Sequence, residues 1–262
     1  MSNARMSWKT ELEAARRIAL GAGRIALEHA ARGVVAEDKP DDSPVTAADR
    51  ASEAYIAGEL KAAFPDDGLL GEEGGRAEAR NGRRWIVDPI DGTRDFLRGL
   101  DTWAILVALE ADGDVVVGVA HFPVQGRTYF ATRGGGAFLD DRLIRISAIR
   151  EKSRAVLCLT GFNGLAGHPF GRRILEFIAP FWSIRSFGGC QDAMFVASGR
   201  ADCWIEMSAA AWDLAPLKVI AEEAGAVFFN FDGGRSVHGG NCVICVPALE
   251  AELRAFVAGG ER

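Results

Sequence analysis

Hydrophobic positions recur at helical spacing from the start of the chain. Residues 8–31 set Leu12, Ala15, Ala19, Ala22 and Ala26 three or four apart, one apolar stripe of an amphipathic helix. A second helix is predicted from Thr46 or Ala47 to Phe64, ending before Pro65 because the residue ahead of a proline leaves the helical region. Between them, Lys39-Pro-Asp-Asp-Ser-Pro-Val-Thr reads as a loop with two prolines. After Asn81-Gly82 the period shortens to that of strands. Trp85-Ile86-Val87 comes first, then 103–109, 115–121, 127–132 and 142–146, parted by Asp-Gly and glycine-rich turns as in an antiparallel meander. From about Arg154, strands at 154–159, 182–187, 202–206, 226–231 and 241–246 alternate with helices at 189–198, 213–224 and 247–258. The chain reads as α/β, with a mixed first part over residues 6–150 and a layered second part over 151–262. Residues 1–5 stand apart: Ser2, Asn3 and Ala4 resemble a cloning scar before a native start at Met6.

Composition narrows the function. With 262 residues, 48% of them hydrophobic and 25% charged, the chain can bury a sizeable core without disulfides or structural metals. A net charge of −6 argues against a broad nucleic-acid surface. No apolar stretch reaches the roughly 20 residues that span a bilayer, and the first helix is no signal peptide, so no membrane partner and a cytoplasmic location are expected. The five cysteines suggest no disulfide framework; Cys242-x-x-Cys245 falls in a strand, where residues three apart face opposite sides, and reads as core. Gly21-Ala-Gly23-Arg-Ile-Ala26 matches a dinucleotide fingerprint, yet lies inside a helix instead of after a strand. It reads as small residues for close helix packing.

The chemistry gathers around Trp85-Ile-Val-Asp88-Pro-Ile-Asp91-Gly-Thr93. A hydrophobic strand ends in an acid, Pro89 is expected to end its ladder, and Asp91-Gly92 turns sharply, bringing two carboxylates to the strand's carboxyl end. Acids so close repel one another unless a cation intervenes, and their hard oxygens suit Mg²⁺. Gly71-Glu72-Glu73-Gly74-Gly75 adds acids in a flexible loop. Trp212-Asp213-Leu-Ala-Pro216 sets an acid at a helix start, with the proline in its first turn. Taken singly, Asp213 fits an N-cap as well as a ligand, and Glu72 and Glu73 fit a solvated turn.

In this order, with Ser43-Pro-Val-Thr-Ala-Ala-Asp49 upstream and Gly134-Gly-Gly-Ala-Phe138 between, these segments resemble the inositol monophosphatase family over nearly the whole chain. The resemblance implies a layered α-β-α-β-α sandwich, a homodimer, and hydrolysis of a phosphate monoester with two or three Mg²⁺ ions. Glu72, Asp88 and the carbonyl of Ile90 would hold one ion, Asp88, Asp91 and Asp213 a second, and Glu72 a weaker third. Asp49 and Thr93 would orient and deprotonate the attacking water, with Glu72 in the catalytic set. The amides of Gly92 and Thr93, beside Asp91 and Asp213, would grip the phosphate. Lys39 matches a loop lysine near the metals.

Substrate choice is assigned to the second half. Glu206 matches the family's substrate-contacting glutamate, and Arg185-Ser-Phe-Gly188-Gly189-Cys190 the loop lining the same pocket. Val237-His238-Gly239-Gly240-Asn241, Asp192 after the glycine pair, and Asp95 in place of a frequent asparagine lean toward the histidinol-phosphatase branch over inositol monophosphate. His238 itself fits a loop histidine better than a ligand, and His29, His121 and His168 lack metal spacing. The compact length and the lack of an extra basic cluster speak against a sugar bisphosphatase or 3′-nucleotidase. A non-catalytic scaffold would be expected to lose one of Glu72, Asp88, Asp91, Thr93 or Asp213, and all are present.

Overall fold

The computed structural model describes residues 8–33, 35–39 and 44–259. Ser2, Asn3 and Ala4 lie outside the described residues, as do 40–43 of the two-proline segment. The two stripes form α1 (Lys9–Arg32) and α2 (Ala47–Ala63). Thr46 starts α2 through a reciprocal cap: its hydroxyl accepts from the N–H groups of Ala48 and Asp49, and Asp49 Oδ2 accepts from the Thr46 N–H at 2.8 Å. The expected loop is bounded instead by an antiparallel ladder of β1 (Ala36–Asp38) and β2 (Pro44–Thr46). A proline is tolerated as the first residue of such a strand. The glycines of the false fingerprint do pack closely. A Cβ on Gly21 would lie 2.2 Å from Tyr55 Oη on α2, and one on Gly23 2.8 Å from the His121 ring.

The meander is part of an eight-stranded sheet. Its strands are β3 (Gly68–Gly71), β4 (Arg76–Ala77), β5 (Arg84–Asp91), β6 (Ala104–Ala111), β7 (Asp114–Phe122), β8 (Arg127–Thr132), β9 (Gly136–Leu139) and β10 (Arg142–Leu143), in spatial order β10-β9-β8-β7-β6-β5-β3-β4. Among the described residues of this sheet, only β3 and β5 pair in parallel. Three strands arise where none was expected, β3, β4 and β9, and the one expected at 142–146 shortens to two residues. Each is short or glycine-rich, with little alternation to read.

A five-stranded sheet follows: β11 (Val156–Thr160), β12 (Ser183–Arg185), β13 (Cys203–Glu206), β14 (Val227–Phe229) and β15 (Cys242–Cys245), in order β12-β11-β13-β15-β14. The remaining helices are α3 (Thr93–Leu97), α4 (Ile174–Ile178), α5 (Gly189–Ala197), α6 (Ala211–Glu223) and α7 (Glu250–Val257). Alternation along the strands sorts the layers. Trp85, Val87, Ile105 and Val107 bury against Ile18, Ala22 and Ile56 of α1 and α2. Ile86, Leu106 and Ala108 face the other way, joining Met194 of α5, Leu214 and Leu217 of α6, and Trp204, Cys242 and Ile244 of the second sheet. Cys203, Ile205 and Cys245 cover the last layer with Ile174, Leu253 and Phe256. The result is the expected α-β-α-β-α sandwich. Cys242 and Cys245, both free and buried, enter different clusters on opposite faces of β15.

The central helix α6 is anchored at its far end. Buried Lys218 pairs with Asp114 at 2.7 Å and Glu222 at 2.9 Å. Glu223 accepts from the N–H groups of Gly134 at 2.6 Å and Gly136 at 2.8 Å, which ties down the glycine turn between β8 and β9.

Candidate active site

Strand β5 does not stop at Pro89. Asp88 pairs with Leu106 and Asp91 with Ala104, so three steps on β5 oppose two on β6. This β-bulge absorbs the proline, which has no ladder hydrogen to lose there. It also changes parity. Residues three apart on a regular strand face opposite sides, but the extra residue puts Asp88 and Asp91 on the side of Leu106 and Ala104, facing the central helices.

There they meet Asp213, at the third position of α6, whose Oδ2 accepts from the Ala210 N–H at 2.7 Å. Asp213 thus helps satisfy the helix start and still offers an oxygen to the cluster. Pro216 lies in the second turn of α6, not the first as expected, so α6 lacks the N–H that residue would have carried back to the Trp212 carbonyl. One oxygen each from Asp88, Asp91 and Asp213 lies within 4.8 Å of the others.

Charge is crowded here. Burial pushes Asp88 well above the usual carboxylate range, and the negative charges of Glu72, Asp91 and Asp213 add to it. Burial and Asp213 push Asp91 up to about 7 against hydrogen bonding from Cys190. Burial likewise carries Asp213 to about 7, against the Ala210 N–H. Glu72 stands outside the three converging acids but near enough for its charge to act on Asp88. Lys39 Nζ donates to Glu72 Oε1 at 2.9 Å and Glu73 Oε1 at 2.6 Å. Burial opposes the charge on Lys39, but its bonds to Glu73 and Glu72 raise its pKa overall.

Beside the acids, Thr93 Oγ1 lies 3.4 Å from Asp49 Oδ1 and 3.2 Å from the Ile90 carbonyl oxygen. Gly92 holds φ at +86°, and a Cβ on it would meet Trp103 at 3.4 Å, so glycine is required at this turn into α3.

Of the residues assigned to substrate, Glu206 and Gly189 come together. A Cβ on Gly189 would be 3.6 Å from Glu206 Oε2. Burial pushes Glu206 to about 7, against hydrogen bonds from Thr160 and the Ser208 N–H. Gly161, which motif reading passed over, belongs with them: at φ +75° its absent Cβ leaves room for Glu206 Oε1, 2.7 Å away. Two of the assigned residues are enclosed by the protein. Asp192 is fully buried, with Oδ1 accepting from the Phe187 N–H at 3.0 Å, so it braces the pocket loop from inside. Cys190 is also buried, its thiol 3.6 Å from the Thr102 carbonyl oxygen, and it lowers the pKa of Asp91 against the effect of burial. His238 sits 3.2 Å from Glu110 and from Arg84, at the start of β5, about 20 Å of strand away from Asp91. His121 and His168 bond Thr128 and the Met207 carbonyl, as structural histidines do.

The model of the inositol monophosphatase family matches residues 7–258. The chain belongs to that family, whose members are phosphoric monoester hydrolases. It is 37% identical over 254 residues to a histidinol-phosphatase of Chlorobaculum parvum, covering 96% of this chain and 98% of that protein. An inositol-1-monophosphatase of Rhizobium meliloti is 39% identical over 206 residues, 77% of each chain. Among solved structures, the extragenic suppressor protein suhB of Bartonella henselae superposes with a TM-score of 0.86 at 30% identity, over 96% of this chain and 100% of that one.

Proposed function

We propose that the chain is a Mg²⁺-dependent phosphomonoesterase acting on a small phosphorylated alcohol, histidinol phosphate ahead of inositol monophosphate. The observation that carries this is the convergence of Asp88, Asp91 and Asp213 within 4.8 Å, with their protons held up by burial and, after it, by mutual charge. Oxygen donors so arranged, Asp88 buried and Asp91 and Asp213 half-buried, fit a hard divalent cation. Glu72, Asp88 and the Ile90 carbonyl would hold one ion, Asp88, Asp91 and Asp213 another, with Glu72 open to a weaker third. When bound, such ions supply positive charge that acidifies water and stabilises a leaving oxygen.

The chain's own groups do the rest. Asp49, locked by the Thr46 cap, accepts a hydrogen bond from Thr93, and the pair orients a water and takes its proton. The N–H groups of Gly92 and Thr93 hold the phosphate. The water oxygen bonds to phosphorus as the bond to the alcohol oxygen breaks in line; the leaving alkoxide takes a proton from solvent water, and the proton held by the Asp49–Thr93 pair returns to solvent. Glu206, buried beside Gly161 and Gly189, receives the far end of the substrate. As a carboxylate it forms a charge-assisted bond with an ammonium, stronger than its bond to a hydroxyl. That preference, with the 37% identity to a histidinol-phosphatase, supports the aminoalcohol phosphate.

A phosphate-release screen tests the reading with histidinol phosphate, inositol monophosphates, adenosine 3′,5′-bisphosphate and fructose 1,6-bisphosphate. Histidinol phosphate is expected to turn over fastest with Mg²⁺ and not at all in excess EDTA. A large preference for inositol 1-phosphate overturns the substrate; full turnover in EDTA overturns the metal.

A further inference from the structure

We propose that Glu53 is a positioning residue for the proposed metal site: it grips the turn at residues 71–75 and thereby fixes the backbone that bears Glu72. The proposal rests on the reading of Glu72 as a metal ligand. Glu53 lies on α2 and is 5% exposed. Its Oε2 accepts from the Glu73 N–H and its Oε1 from the Gly75 N–H, each at 2.8 Å. The turn closes on itself through the Gly71 N–H, 2.7 Å from the Gly75 carbonyl oxygen. The two glycines leave just enough room for the carboxylate: a Cβ on Gly71 would lie 2.5 Å from Oε2, and one on Gly75 2.9 Å from Oε1.

Glu72 therefore sits between a backbone fork on one side and the Lys39 ammonium on the other. Its neighbour's amide is held by a charged acceptor, a stronger bond than a neutral one. Asp49 and Glu53 are four apart and share one face of α2. The same helix thus sets both the group that meets Thr93 and the turn that bears Glu72, so their separation is fixed by a rigid element. Outer groups that orient metal ligands typically contribute about 10–100-fold to metal affinity.

The experiment titrates the whole protein with Mn²⁺ in the absence of substrate, reading free ion by electron paramagnetic resonance, and measures the Mg²⁺ dependence of turnover separately. Glu53→Gln offers one acceptor and sets an NH₂ against the other amide. It is expected to weaken Mn²⁺ binding about tenfold or more, to raise half-saturating Mg²⁺ by a similar factor, and to regain most of kcat at saturating Mg²⁺. Amide exchange at Glu73 and Gly75 should accelerate. Gly71→Ala displaces the fork from the opposite side and carries the same prediction if Glu53→Gln does not fold. Glu223→Gln, which cuts an equivalent fork on a remote turn, should leave Mn²⁺ binding unchanged. Wild-type Mn²⁺ binding in Glu53→Gln, or equal weakening in Glu223→Gln, overturns the proposal. Glu72→Gln separates the two ideas. If it weakens Mn²⁺ binding while Glu53→Gln does not, only the fork fails; if it too binds normally, the ligand reading fails first.

Discussion

Two turns in this molecule are held in the same way and serve different ends. At residues 71–75, Glu53 accepts from two backbone N–H groups, both at 2.8 Å; at residues 134–136, Glu223 does so at 2.6 and 2.8 Å. Both turns are rich in glycine, and both glutamates come from helices packed on the eight-stranded sheet. The difference lies in what the held turn carries. The first bears Glu72 beside the cluster of acids, so under the proposed function an error there reaches the chemistry. The second presents no charged group, and its fork joins β8 and β9 to the C-terminal end of α6. One arrangement of hydrogen bonds can serve a site or only a scaffold, and its surroundings decide which.

That contrast predicts a graded series of losses. The largest belongs to the cluster itself. Asp91→Asn removes a charge from the proposed ligand set and should lower kcat/KM by about a hundredfold or more, while the unfolding midpoint stays near or above that of wild type because a crowded, half-buried charge is gone. A midpoint that collapses with activity would make the loss structural. Thr93→Ala should come next. It removes the hydroxyl between Asp49 and the Ile90 carbonyl, so kcat should fall by roughly 10²–10⁴-fold, with KM changed far less. Near-normal turnover removes Thr93 from the water-activating pair.

Glu206→Gln should lose less, and unequally. The amide keeps an acceptor but not the charge, so kcat/KM for histidinol phosphate should drop about tenfold more than for inositol 1-phosphate, about 1.4 kcal/mol. Because burial pushes Glu206 to about 7, its carboxylate forms only as pH rises through that value. KM for the amine substrate should therefore fall between pH 6 and 8 in wild type and not in Glu206→Gln. Equal losses on both substrates would show that Glu206 senses no charge. The smallest effect on catalysis belongs to the remote fork. Glu223→Gln should cost about 1–2 kcal/mol of stability, read as a Tm lower by a few degrees, with kcat and Mg²⁺ dependence unchanged. A kinetic defect there would erase the contrast between the turns.

How much of this was legible depended on range. The cap of α2 is spelled by Thr46 and Asp49 three residues apart, and strands β6, β7 and β8 are runs of apolar, largely buried residues bounded by turns, long enough to be read directly. β3, β4 and β9 were missed because glycines and short length leave no period to detect. The direction of the Asp192 side chain was not legible for a related reason. Motif spacing sets it beside the pocket, but whether a helical side chain turns outward or inward depends on what packs against it, here the Phe187 amide and the thiol of Cys158. Glu53 carries a signal that could have been used, since it stands one helical turn beyond Asp49. Spacing could show that the two share a face, but not that the 71–75 turn would arrive at it.

By itself, the sequence determined what local chemistry encodes: helix starts, long amphipathic periods, the sites where only glycine is permitted, and the acidic residues from which a cluster could form. Tertiary structure decided which of those acids meet. Asp88 and Asp91 share a side only because a bulge against β6 shifts the parity of β5, and Asp213 joins them from more than a hundred residues away because α6 is clamped between the two sheets. Local propensities act over a few residues, whereas burial and mutual charge act wherever the packed chain brings groups together. The identities of the acids can be read along the chain; their shared environment, and the raised pKa values that make it a candidate metal site, exist only once the layers close.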